Sequence, residues 1–169
     1  MGLGRFGGGI GVTRWLLAHG ANVLLTDLAS EEELAPQLEL LGTHSKLHCV
    51  LGEHRIDDFL NADLVVANPA VPHPWKNKYL KATWDKGVRI TTEIEIVTQL
   101  MDRKQVIGVT GTSGKSTTAS MIHAALQSSG KPSHLGGNIG GSLLDTIEDI
   151  CKDDIVVLEL SSAMLWWLE

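Results

Sequence analysis

Apolar and polar positions follow two different rhythms along this chain. Short apolar runs at 22–26, 47–51, 63–67, 88–91, 105–110 and 155–160 read as strands. Between them, segments 9–19, 31–41, 75–86, 93–102, 115–129 and 141–150 read as helices. The last two helices end near Gly130 and Lys152, which act as stop signals. Segment 132–135 is a further strand candidate. Strands that alternate with helices in this way predict an α/β fold built on parallel sheets.

The alternation groups into two units, 1–92 and 93–169. No proline- or serine-rich linker separates them, so the border is open by several residues. At 43% hydrophobic and 20% charged residues the composition is that of an ordinary globular chain. The net charge of −6, with no basic run, argues against nucleic acid as the main partner. It leaves room for a phosphate site, which needs only local positive potential.

Cys49 and Cys151 lie far apart in sequence and suit reduced thiols. No apolar run reaches membrane-spanning length, and the start lacks a signal-peptide core, so a cytoplasmic protein without membrane insertion is expected. His44, His48, Cys49 and His54 cluster loosely, but their spacing fits no zinc pattern. Strand alternation would also put His48 and Cys49 on opposite faces. Surface histidines and one buried thiol are the expectation.

The stretch with the most chemistry is Gly108-Val-Thr-Gly-Thr-Ser-Gly-Lys-Ser-Thr-Thr118, between an apolar run and a helical segment. Strand, glycine-rich loop and helix make a phosphate cradle, with backbone N–H groups aimed at the anion. Lys115 can reach terminal phosphates and the Ser116 hydroxyl can ligate Mg²⁺. A strict P-loop would have a further glycine where Val109 stands. The bland alternative is a glycine-rich loop with a chance lysine.

The first unit has its own motif, Gly2-Leu-Gly4-Arg-Phe-Gly7, with Asp27 at the end of the following strand. That arrangement suits a Rossmann-type ribose contact. A strand should precede such a motif, yet it begins at residue 2. The first strand is therefore expected to be missing, with Met1 an internal methionine or the N-terminus cut. The alternative is a flexible start with no binding role. The last strand, Ile155-Val-Val-Leu-Glu-Leu160, ends in a carboxylate. After a phosphate loop, such a carboxylate commonly holds Mg²⁺; otherwise Glu159 is a strand-end surface acid. The apolar tail after it, with Trp166 and Trp167, reads as a second cut end. The fold expectation is thus a Rossmann-like parallel-sheet domain over 1–92, then part of a P-loop mononucleotide-binding ATPase domain over 93–169.

Three blocks stand in order: 108–118, Gly136-Gly-Asn-Ile-Gly140 and Leu158-Glu-Leu-Ser-Ser162. Together they resemble the Mur ligase family, over essentially the whole chain. With the Gly2–Gly7 motif, the likeness is strongest to the branch that adds D-glutamate. The resemblance implies three domains: one for the UDP-sugar, a central ATPase, and a C-terminal amino-acid domain absent here. It implies that ATP phosphorylates the carboxylate of UDP-N-acetylmuramoyl-L-alanine, that D-glutamate attacks the acyl phosphate, and that the product serves peptidoglycan synthesis. Carried over by position, Gly4, Arg5, Phe6 and Asp27 would face the uridine end. Thr112, Ser113, Gly114, Lys115, Ser116 and Thr117 would hold the ATP phosphates. Lys115 counters their charge, and Ser116 and Glu159 hold Mg²⁺. Asn138, like Asn68 in a loop resembling the family's Ser-Pro-Gly, would lie near the substrate's diphosphate and sugar. Lys115 and Asn138 are the catalytic candidates.

This chain departs from the family pattern at Phe6, Ser113, Ala70 and the segment after Ser162. The family's downstream metal-binding histidine and carbamylated lysine lie outside the sequence. The chain alone is expected to lack ligase activity, and its full-length parent to be a monomer. Competing readings are a sister ligase of the family, a non-catalytic nucleotide-binding module, and a nicotinamide-dependent oxidoreductase built on Gly2–Gly7 and Asp27.

Overall fold

The computed structural model describes residues 1–4 and 7–168. They divide into two compact units, Met1–Glu93 and Ile94–Glu169. Both are α/β, and every strand pairing within them is parallel.

The first unit opens with α1 (Gly8–Ala18), β1 (Val23–Asp27), α2 (Glu31–Leu41), β2 (Leu47–Leu51) and α3 (Ile56–Leu60). It continues with β3 (Leu64–Val66), α4 (Lys78–Asp85) and β4 (Arg89–Thr91), and α5 (Glu93–Leu100) begins at its last residue. β1 pairs with β2 from Val23↔Leu47 to Asp27↔Leu51, and β3 pairs with β4. The first two residues join these pairs. Gly2 N–H donates to Thr26 O at 2.8 Å, while the Met1 amine donates to Val66 O and Asn68 N–H to Met1 O. Leu3 is fully buried against Ile10, Leu25 and Leu34, which locks the segment under α1 and α2. α2 starts where it does because Ser30 and Glu33 form a reciprocal capping box.

The second unit contains β5 (Val106–Val109), α6 (Lys115–Ser128), β6 (Ser133–Gly137), β7 (Ile155–Glu159) and α7 (Ser162–Trp167). The strand order is β5-β7-β6. Val156, Val157 and Leu158 in the middle strand have no exposed surface. Such a continuous apolar run is what a strand covered on both faces requires. Val109, Ala119 and Val157 form the core beneath α6, with Ile122, Leu126 and Leu135 packed on it.

Three expected helices change. Segment 75–86 splits into a 3-10 turn at Pro74–Lys76 and α4, because the Asn77 side chain accepts from the N–H groups of Tyr79 and Leu80 and caps a new start. Segment 141–150 is no α-helix but two 3-10 turns, Leu143–Asp145 and Ile147–Asp149. Leu143 is buried against Gly136, in the space where a Cβ would sit, and Leu144 beside it is buried as well. The expected helix 93–102 stops at Leu100, and Asp102 caps a separate 3-10 turn, Arg103–Gln105. The short helix α3 carries too few turns to show a period and was not expected.

Candidate nucleotide-binding sites

The glycine-rich loop begins where β5 ends. Gly114 stands in the left-handed region (φ 75°) as N-cap of α6, and no side chain caps that helix. Its first N–H groups therefore have no side-chain partner, the condition for binding an anion. Thr112, Ser113, Ser116 and Thr117 are exposed around it. Lys115 Nζ donates to the Gly111 carbonyl at 3.0 Å, which lays the ammonium across the loop.

Parallel pairing sets Glu159 beside this loop. Glu159 is in register with Val109, and Leu160 N–H donates to Val109 O at 2.8 Å. The Glu159 side chain is 1% exposed. On its other flank Asn138 N–H donates to Glu159 O at 2.8 Å, and Asn138 Nδ2 reaches Oε1 at 3.4 Å. Oε2 is buried with no hydrogen-bond partner. A buried carboxylate oxygen is costly unless a donor or cation completes it. An oxygen donor of this kind, with the Ser116 hydroxyl at the start of α6, suits a hard cation such as Mg²⁺. Gly137 makes the approach possible: its φ is +90°, and a Cβ there would strike the Glu159 backbone.

The first unit gathers its expected residues around one turn. Leu3 N–H donates to Asp27 Oδ2 at 2.7 Å, and Ala29 N–H donates to Oδ1 at 2.9 Å. Asp27 thus anchors the backbone on both sides of its strand end as well as facing the turn. Asn68 covers the same turn. Its Nδ2 reaches Gly2 O at 3.5 Å, and its side chain fills the space where Gly2 and Gly4 would carry Cβ atoms. Asn68 Oδ1 also accepts from Ala70 N–H at 2.9 Å, holding the loop that follows β3. Gly4, Asp27 and Asn68 therefore meet; Arg5 and Phe6 lie outside the described residues. Burial lowers the pKa of the Met1 amine to about 6, with Asp27 opposing the shift.

Sequence reasoning missed Gly137, although a glycine pair before Asn138 hints at a close approach. It also missed Thr26 and His54, which are joined by hydrogen bond beneath the turn. The loose His/Cys cluster at 44–54 does not converge: no group of three metal-binding side chains exists among the described residues. Among those residues, no helix is long and apolar enough to cross a membrane.

Residues 109–165 match the Mur ligase middle domain. The whole chain is 42% identical to a UDP-N-acetylmuramoylalanine–D-glutamate ligase of Borreliella afzelii (strain PKo), covering 36% of that protein. Proteins of the same name match 98% of the chain in Roseiflexus sp. (strain RS-1), at 41% identity, and in Treponema pallidum (strain Nichols), at 39%. The chain covers 34% and 31% of these two. It thus spans about a third of the length of the curated relatives it matches. A solved structure of a pseudomurein peptide ligase type C from Methanothermus fervidus aligns with 91% of this chain and 30% of its own, at 21% identity and a TM-score of 0.42. With the middle-domain match lying on the strand, loop and carboxylate described above, the chain belongs to the Mur ligase family.

Proposed function

We propose that this chain forms the nucleotide-sugar and ATP sites of a cytoplasmic ligase that joins D-glutamate to UDP-N-acetylmuramoyl-L-alanine in peptidoglycan synthesis. The observation that carries the reading is the buried Glu159, with Oε2 unpartnered, at a strand end in register with the last residue before the glycine loop. The relatives' shared name supports the choice of substrates.

In this reading residues 1–93 make a Rossmann-like unit for the UDP-sugar, and the rest belongs to the ATP-binding domain. Gly4, Asp27 and Asn68 shape the uridine end, with Arg5 and Phe6 completing it by family likeness. Thr112 to Thr117 cradle the ATP phosphates with backbone N–H groups and hydroxyls. Lys115 leaves the Gly111 carbonyl to neutralise them. Ser116 and Glu159 would hold Mg²⁺, which offsets charge on the phosphate oxygens. Asn138 keeps Glu159 oriented and faces the substrate's diphosphate. ATP supplies the phosphoryl group that makes the substrate carboxylate an acyl phosphate, ADP leaving; the D-glutamate amine then displaces phosphate. The chain's own contribution is position and charge compensation, not covalent chemistry.

Isothermal titration tests the reading. A non-hydrolysable ATP analogue should bind only with Mg²⁺ present. UDP-N-acetylmuramoyl-L-alanine should bind more tightly than the same nucleotide without alanine. Binding of NAD with no binding of UDP-sugars would overturn the proposal in favour of an oxidoreductase.

A further inference from the structure

The turn between β2 and α3 carries a histidine that the proposed reaction does not use. His54 Nδ1 lies 2.7 Å from Thr26 Oγ1, and Thr26 Oγ1 donates to the Glu53 carbonyl at 3.0 Å. A hydroxyl has one proton. With that proton donated to Glu53 O, Nδ1 is the donor to Thr26 Oγ1, the arrangement of the Nδ1–H tautomer of a neutral ring. The ring is also held in place. It meets Phe59 and Tyr79 edge-on, with centroids at 5.6 Å and 5.2 Å, and these two rings stack on each other. Burial lowers its pKa, the Met1 amine adds to the shift, and Asp27 opposes it.

The receiving residue links the ring to the glycine turn. Thr26 is buried, and its carbonyl accepts the Gly2 N–H. The next residue, Asp27, accepts the Leu3 N–H. The ring's hydrogen bond ends on the hydroxyl of the strand residue whose backbone carbonyl holds the turn. We propose that His54 is a positioning residue for the uridine nucleotide-sugar: through Thr26 it sets the Gly2–Gly4 turn and the Asp27 carboxylate in the geometry that receives the ligand. This rests on the UDP-sugar reading of the first unit.

The test is titration of UDP-N-acetylmuramoyl-L-alanine into the 169-residue chain and into His54→Ala, His54→Asn and His54→Gln. An asparagine amide places a donor where Nδ1 sits, whereas glutamine places it at Nε2. The Ala and Gln variants should bind about five- to tenfold more weakly, the loss of roughly one hydrogen bond. The Asn variant should stay within about twofold of the parent. Mg²⁺–ATP affinity, read in the second unit, should be the same in all four. Equal UDP-sugar affinity in every variant, or Asn no better than Gln, would overturn the assignment. If His54→Ala fails to fold, the Asn-against-Gln comparison still decides. An unmutated chain that binds ATP but no UDP-sugar would instead refute the reading of the first unit.

Discussion

Asn138 holds Glu159 at two points, through its backbone N–H to the carbonyl at 2.8 Å and through Nδ2 to Oε1 at 3.4 Å. One carboxylate oxygen is thereby engaged and the other, Oε2, is left buried without a partner. The second contact is long for an N–H···O bond, so it orients the carboxylate more than it satisfies it. The pair makes a fixed, incomplete oxygen site at the end of β7.

Glu159→Gln removes the charge and keeps the shape. Stability should be unchanged or slightly raised, since a buried unpaired charge is lost. The Mg²⁺ enhancement of ATP binding should fall by at least the ~10-fold that outer partners of a metal site cost. Thermal melts and titration with and without Mg²⁺ check both halves, and an unaltered Mg²⁺ effect would remove Glu159 from the metal site.

Gly137→Ala should destabilise the second unit by at least about 1–2 kcal/mol, the cost of a left-handed residue with a Cβ. The clash with the Glu159 backbone adds to this. Urea unfolding measures it. A loss below about 0.5 kcal/mol, the scale of an unremarkable surface change, would show that β6 can shift away from Glu159 at little cost.

Lys115→Ala should cost little stability, within about 0.5 kcal/mol, because its bond to Gly111 O is exposed. ATP affinity should drop roughly 10- to 100-fold, as expected for one charge-assisted hydrogen bond to phosphate. Binding that is indifferent to this change would mean the loop does not hold the triphosphate.

The second unit should lose stability in acid through Asp154. Its carboxyl is held below the ordinary value of 3.8, first by the His134 bond at 2.9 Å and then by the Cys151 N–H. Below that value the unfolded chain binds the proton more readily than the folded one. The stabilisation is therefore complete above the unfolded pKa and disappears as pH falls through the folded one. Asp154→Asn should flatten the stability–pH curve below about pH 4, the region of an unperturbed carboxylate. An unchanged acid slope in that variant would show that other carboxylates govern it.

Much of the architecture was legible because it rests on local signals. Apolar runs marked the strands: β2 is 47–51 in sequence pattern and structure alike. The helical pattern at 31–41 is α2, and the glycine-lysine-serine run announced a loop leading into α6. The residues 141–150 misled because their apolar spacing fits a helix equally well. The structure instead buries Leu143 in the space left by the missing Cβ of Gly136 and breaks the segment at Thr146. Pattern records how often a chain turns inward; it does not record which neighbour waits there.

The sequence by itself determined the alternation of strands and helices, the glycine-rich loop before α6 and the glycine turn at the start, since each depends on residues within a few positions of one another. Only the tertiary structure decided that Asn138 grips Glu159, that Asn68 lies over Gly4, and that His54 reaches Thr26. Those pairs are brought together by parallel register and crossover, which set distant residues side by side at the ends of strands, where loops leave polar groups to be satisfied.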